Sequence, residues 1–184
     1  MHLSFREAKT TQAAAKLLKL RGGQMSYMKL IKLLYLVDRE ALLRWGRPVT
    51  GDRYVSMDRG PVLSQTLNLI TEEPAPGQDT IWAHHISRPQ DYEVRLIKEA
   101  NEDELSEAEM QLIDEIFGKY GRMSRWELVD LVHNFREWQD PKGSALPIQF
   151  RDILRAGGKS EAEIAAVVEE IDELILADAL IPAR

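Results

Sequence analysis

The chain has no cysteine among its 184 residues. That absence removes disulfides, thiolate metal sites and cysteine nucleophiles together, and it fits a reducing compartment. Long apolar runs are missing too: the N-terminal stretch MHLSFREAKTTQ has no continuous apolar core, and the longest apolar stretch, near residues 30 to 37, is broken by Lys32. A cytoplasmic protein without a membrane partner is expected. Motifs for catalysis are equally scarce. There is no HExxH, no Cys/His cluster and no calcium-loop spacing, and the turn at Asp52 lacks the downstream ligands of such a loop. Gly60-Pro-Val-Leu-Ser64 has the wrong spacing for a nucleophile elbow, and Gly22-Gly23 lacks the Gly-Lys-Ser/Thr of a phosphate loop. His84 and His85, read as neighbours on a strand, would point to opposite faces and not converge on one ion. No cofactor, no metal and no enzymatic activity are expected.

What is present reads as one globular domain, 44% hydrophobic and 29% charged. The net charge of −6 hides a split. Residues 1–70 hold 12 Lys/Arg against 5 Asp/Glu, giving +7, and residues 71–184 hold 12 against 25, giving −13. Two arrangements account for this equally: basic helices docked on acidic ones within one fold, or an exposed basic patch that could meet nucleic acid. The overall acidity argues against nucleic acid and suits a basic protein partner.

The periodicity predicts a mainly helical (α+β) domain with a small antiparallel sheet of two or three strands. A first helix is expected over about Phe5 to Leu20, and a second, capped by Ser26, runs to Trp45 and Gly46. Its apolar face would carry Leu30, Ile31, Leu34, Val37, Ala41 and Leu42, with Lys29, Lys32, Arg39 and Glu40 mostly on the polar face. Pro48 and Thr50-Gly51-Asp52 then make a turn, Tyr54 to Met57 a strand, and Gly60-Pro61 the start of a third helix ending near Ile70. After the loop Glu72 to Gly77, Thr80–Ile86 and Tyr92–Ile97 read as a hairpin that the Tyr54 strand could join. Capping boxes at Ser106/Glu109, Ser124/Glu127 and Ser160/Glu163 predict helices over about 107–120, 125–135 and 161–177, with a further short helix over Pro147–Arg155.

Asp130 and His133 share a helix face that Glu137 could extend, an arrangement open to acid–base chemistry. More simply, His133 binds a neighbouring carboxylate or carbonyl and holds the Phe135–Trp138 turn on the core.

The runs KLLYLVDR (residues 32–39) and GRPVTGDRYV (46–55), with the following Gly60-Pro-Val62, resemble the Panacea-domain family, also called SocA-like. Leu131-Val-His133, Trp138-Gln-Asp-Pro-Lys-Gly143 and Pro147-Ile148 resemble its second signature, although Val132 stands where the family often has threonine. The resemblance spans roughly residues 25 to 150, leaving 151–184 as a C-terminal helical extension of the single 1–184 domain. It implies an antitoxin of a bacterial or phage toxin–antitoxin pair, whose partner is a cognate protein toxin. Relatives further imply an adaptor mode in which the toxin is handed to an ATP-dependent protease. The signature residues it singles out are Tyr35, Asp38, Arg39, Arg47, Asp52, Tyr54, Arg59, Gly60, Pro61, His133 and Trp138. Two readings stand for the polar ones. Tyr35, Asp38, Arg39, Arg47, Asp52 and Arg53 form a salt-bridged latch tying helix to turn, or Tyr35, Arg39, Tyr54 and the Asp58-Arg59-Gly60 turn meet a partner, and both can hold for different residues. A transcriptional regulator using the basic N-terminal segment is the rival function.

Overall fold

The computed structural model describes residues 3–73, 75 and 77–180. Pro74 and Pro76 of the predicted loop, and the last four residues of the C-terminal extension, lie outside the described residues. The elements run α1 (Glu7–Leu20), β1 (Gln24–Ser26), α2 (Tyr27–Trp45), β2 (Tyr54–Met57), β3 (Gly60–Leu63), α3 (Ser64–Thr71), α4 (Ile81–His85), β4 (Glu93–Arg95), α5 (Glu107–Tyr120), α6 (Arg125–His133), β5 (Leu146–Ile148), α7 (Phe150–Ala156) and α8 (Glu161–Leu180). The expected mainly helical fold forms, with two small antiparallel sheets where one of two or three strands is expected.

The organising element is α2. Every residue from Lys29 to Asp38 is buried, because Leu33-Leu-Tyr-Leu-Val37 is apolar at five successive positions and so on all sides of the helix. The elements α1, α5, α6 and α7 pack around it, with β3 on its flank. Gly46 ends it in the left-handed conformation at φ 72°. Lys29 and Lys32 do not face water as the amphipathic pattern predicts. Lys29 Nζ donates to the carbonyls of Gly121 (2.7 Å) and Met123 (2.6 Å), fastening the α5–α6 corner to α2, and Lys32 Nζ donates to Pro61 O at 2.7 Å.

All three capping boxes form, each with serine accepting from the glutamate N–H and the glutamate reaching back to the serine N–H. Ser26 makes no such cap; its hydroxyl is buried without a partner.

The strands depart from expectation. Thr80 Oγ1 accepts from Ala83 N at 3.2 Å and starts a short helix, α4, which buries Trp82. A threonine cap thus overrides the β-branched run, and His84 and His85 lie on a helix, one beside Asp79 and the other beside the Lys98 carbonyl. Strand β4 pairs with β1, in the register Met25 with Val94, and of the expected hairpin only the antiparallel bridge between Ile86 and Leu96 forms among the described residues. A second sheet has the order β3-β2-β5. Pro61 is therefore in an edge strand opposite Ser56, and not at a helix start. Gly60, at φ 92°, closes the two-residue turn Asp58-Arg59 between β2 and β3. Pro147 likewise pairs with Val55 in β5, so the predicted Pro147–Arg155 helix is shortened to α7. Helix α6 stops at His133, short of residue 135, and α8 runs on to Leu180.

The charge split resolves inside the fold. Ion pairs join Arg6 to Glu104, Lys9 to Glu109 (2.7 Å), Lys16 to Asp114 (3.1 Å), Lys19 to Glu99 (3.0 Å) and Arg44 to Glu115 (2.8 Å). The basic N-terminal helices thus dock on the acidic stretch at 99–115, as the first of the two arrangements has it.

Candidate functional site

The signature residues gather where the C-terminal half of α2 meets the β2–β3 hairpin and the segment after α6. Asp38 is wholly buried. Its carboxylate accepts from Val49 N (2.9 Å), Thr50 N (3.0 Å), the Thr50 hydroxyl and the Tyr54 hydroxyl (3.0 Å). Burial pushes its pKa up to about 6 even against these donors. Asp52 anchors the next element by accepting hydrogen bonds from its first turn. Helix α3 follows Leu63, which offers no side-chain cap. Asp52, beyond the hairpin, accepts from Gln65 N (2.9 Å), Thr66 N (2.8 Å) and Thr66 Oγ1 (2.7 Å). Two aspartates thus fix both ends of the irregular segment between α2 and α3.

A second node sits one turn along α2. Glu137, with no exposed side-chain surface, accepts from Tyr35 OH at 3.0 Å and Arg39 Nε at 2.6 Å. The Arg39 guanidinium lies 4.2 Å from the Phe135 ring centroid. Lys29, Lys32, Tyr35 and Arg39 therefore make one polar seam along α2, each gripping backbone or side chain outside it. Burial lowers the Lys32 pKa to about 7. Burial and the neighbouring carboxylates Glu137 and Asp38 drive the Tyr35 and Tyr54 phenols well above 10.

The third node holds the hairpin turn. Trp138 Nε1 donates to Met57 O (3.0 Å), His133 Nε2 lies 3.1 Å from Asp58 O, and their rings stack at 4.2 Å between centroids. Gly60 packs so closely that a Cβ there would sit 2.5 Å from Val132 Cγ2. His133 and Glu137 thus face different partners, and the acid–base grouping with Asp130 is not assembled. Tyr35 and Tyr54 are buried with both hydroxyls engaged, so a partner cannot reach them. The tie between helix and turn is not the expected salt bridge either: Asp38 and Asp52 accept from backbone N–H groups and hydroxyls, and of the residues named for it only Arg39 makes an ion pair among the described residues, to Glu137.

What the latch leaves outside is the tip of the turn. Arg59 is exposed, as are Arg47 and Asp58. The Arg59 guanidinium lies 5.6 Å, and that of Arg125 5.2 Å, from the ring centroid of Trp126, which is 50% exposed. Sequence reasoning passed over Trp126. Its signal was an aromatic in the first turn of a capped helix, between Arg125 and Glu127, where nothing local would bury it.

The arrangement is a helical scaffold in which the buried Lys32, Asp38 and Asp52 hold the irregular backbone between α2 and α3 in place. It belongs to the SocA-like antitoxins: the family model described as "Antitoxin SocA-like, Panacea domain" matches residues 30–139. No curated protein and no solved structure matches the chain significantly. The matched span contains all three nodes and Trp126.

Proposed function

We propose that this protein is the antitoxin of a bacterial or phage toxin–antitoxin pair, acting in the cytoplasm without catalysis by binding its cognate protein toxin directly. Membership of the SocA-like family supports the class. The observation that carries the binding mode is the exposed Trp126 ring at the start of α6, flanked by Arg125 of the same helix and by Arg59 of the β2–β3 turn, which is held from beneath. Tryptophan and arginine dominate interface energetics when desolvated, and a pre-fixed turn reduces the entropy lost on docking. The signature residues beneath it, among them Asp38, Asp52 and Gly60, act by positioning this surface.

Co-expression with the product of the neighbouring reading frame tests the reading. Restored growth and co-purification are expected. A neighbour that neither inhibits growth nor co-purifies would remove the antitoxin reading. Delivery to an ATP-dependent protease is a separate mode, and it predicts that the toxin's half-life shortens when the antitoxin is present. Masking predicts a toxin that persists in an inactive complex. The rival regulator needs free positive surface, and ion pairs to residues 99–115 already engage five of the twelve Lys/Arg of residues 1–70. It predicts a salt-sensitive electrophoretic shift on the protein's own promoter.

A further inference from the structure

Helices α7 and α8 lie beyond the matched family span and present a surface of the opposite chemistry. On α8, Ile164, Ile171 and Ile175 are buried against the body of the protein. Beside that stripe a groove of about 530 Å³ opens between the two helices, floored by Ile164, Ala165, Val168 and Leu176. Leu176 is 53% exposed and Leu180, one turn further on, is 83% exposed, so the apolar strip continues past the groove into solvent.

Seven of the twenty residues of α8 are Asp or Glu, and none is Lys or Arg. Arg155 engages Glu161 at 2.8 Å and Lys159 engages Glu163 at 3.5 Å. Glu169, Glu170, Asp172 and Glu173 are exposed and make no ion pair among the described residues. The contrast with the acidic stretch at 99–115 is direct, since that stretch is matched by basic side chains of α1 and α2. On the opposite lip stand Arg151 and Arg155, the latter already paired.

We propose that the α7–α8 groove docks a basic amphipathic helix carried by a protein partner. Apolar side chains at i, i+3 or i+4 and i+7 of that helix would enter between Val168 and Leu176. Its lysines and arginines would lie along Glu169, Asp172 and Glu173, the helix-in-groove mode with charge complementarity added. A second copy of this chain fits poorly, because it would bring one uncompensated acidic face against another. The inference concerns a different surface from Arg59–Trp126 and stands without the toxin reading.

The probe is a fluorescein-labelled synthetic peptide with leucines on one helical face and lysines on the other. A scrambled peptide of identical composition is the control, and binding to the full chain is read by fluorescence anisotropy. The amphipathic peptide is expected to bind at least about tenfold more tightly than its scramble, a difference of roughly 1.4 kcal/mol. Leu176→Asp and, separately, Glu169→Lys/Asp172→Lys should each abolish that preference. Both sites are exposed, and the lysine variant adds no buried charge, so its folding is independent of the groove. Equal binding of the two peptides, variants that bind like the parent chain, or a homodimer that Leu176→Asp dissociates would overturn the proposal.

Discussion

Replacing Arg39 by Met isolates the grip of α2 on the segment after α6. The Glu137 carboxylate has no exposed surface and would keep only the Tyr35 hydroxyl as donor. Removing one partner of a buried ion pair costs roughly 3–5 kcal/mol, chiefly because the remaining charge stays buried and uncompensated. For a chain of this length each kcal/mol moves the melting temperature by roughly 2–4 °C, so a loss of about 6–20 °C is expected. The stack of Arg39 on Phe135 adds a smaller part, which the methionine side chain partly replaces by contact. The informative companion is the double variant Arg39→Met/Glu137→Met. Because an apolar pair avoids the desolvation penalty of two charges, it should recover part of the loss, less the roughly 1–3 kcal/mol of a Tyr35 hydroxyl left buried without its acceptor, and show a coupling of about 2 kcal/mol or more. Urea unfolding of the four proteins in the cycle measures this. A single variant within about 0.5 kcal/mol of the parent, the range of ordinary surface substitutions, would refute the latch.

Lys32 predicts an unusual alkaline limb. Its folded pKa near 7 lies below the unfolded value of 10.5, so the unfolded chain binds more protons between these values and stability rises with pH above 7. The gain is roughly 2 kcal/mol over two pH units, with lowered Lys29 adding in the same direction. Above pH 10 the raised phenols of Tyr35 and Tyr54 reverse it, since the unfolded tyrosines then lose protons first. Denaturant titrations across this range should show the rise, and Lys32→Met should flatten it. Gly60→Ala should cost about 3 kcal/mol by urea unfolding, combining a φ of 92° with the clash on Val132. Trp138→Phe keeps the stack on His133 but removes the donor to Met57 O, so a loss of about 1–2 kcal/mol is expected in the same assay.

The parts legible in the sequence were those written locally. A serine with glutamate three residues on specifies a helix start through atoms within one turn, and the three boxes at Ser106, Ser124 and Ser160 form as read. Strands β1 and β5 were missed because three residues carry too little pattern, and each exists only through pairing with a distant segment. Thr80–Ile86 misled because β-branched and aromatic residues suit a strand as well as a short buried helix, and the choice fell to one threonine cap. At the site, Tyr35, Asp38, Arg39 and Tyr54 could be named from the family pattern, but their direction could not. Helical periodicity sends Lys29, Lys32 and Arg39 to water by default. Here the surrounding irregular backbone offers carbonyls and a buried carboxylate that only those side chains reach. The nearest hint was the apolar run Leu33 to Val37, which marks α2 as a helix surrounded on all sides.

The central claim is that the buried signature residues hold the turn while Arg59 and Trp126 meet the partner. Isothermal titration of the cognate toxin with the Arg59→Glu/Trp126→Ala variant, alongside its melting curve, tests it most directly. The account predicts melting within about 2 °C of the parent chain and at least a hundredfold loss of affinity, about 2.7 kcal/mol. Undiminished toxin binding by this folded variant would contradict it.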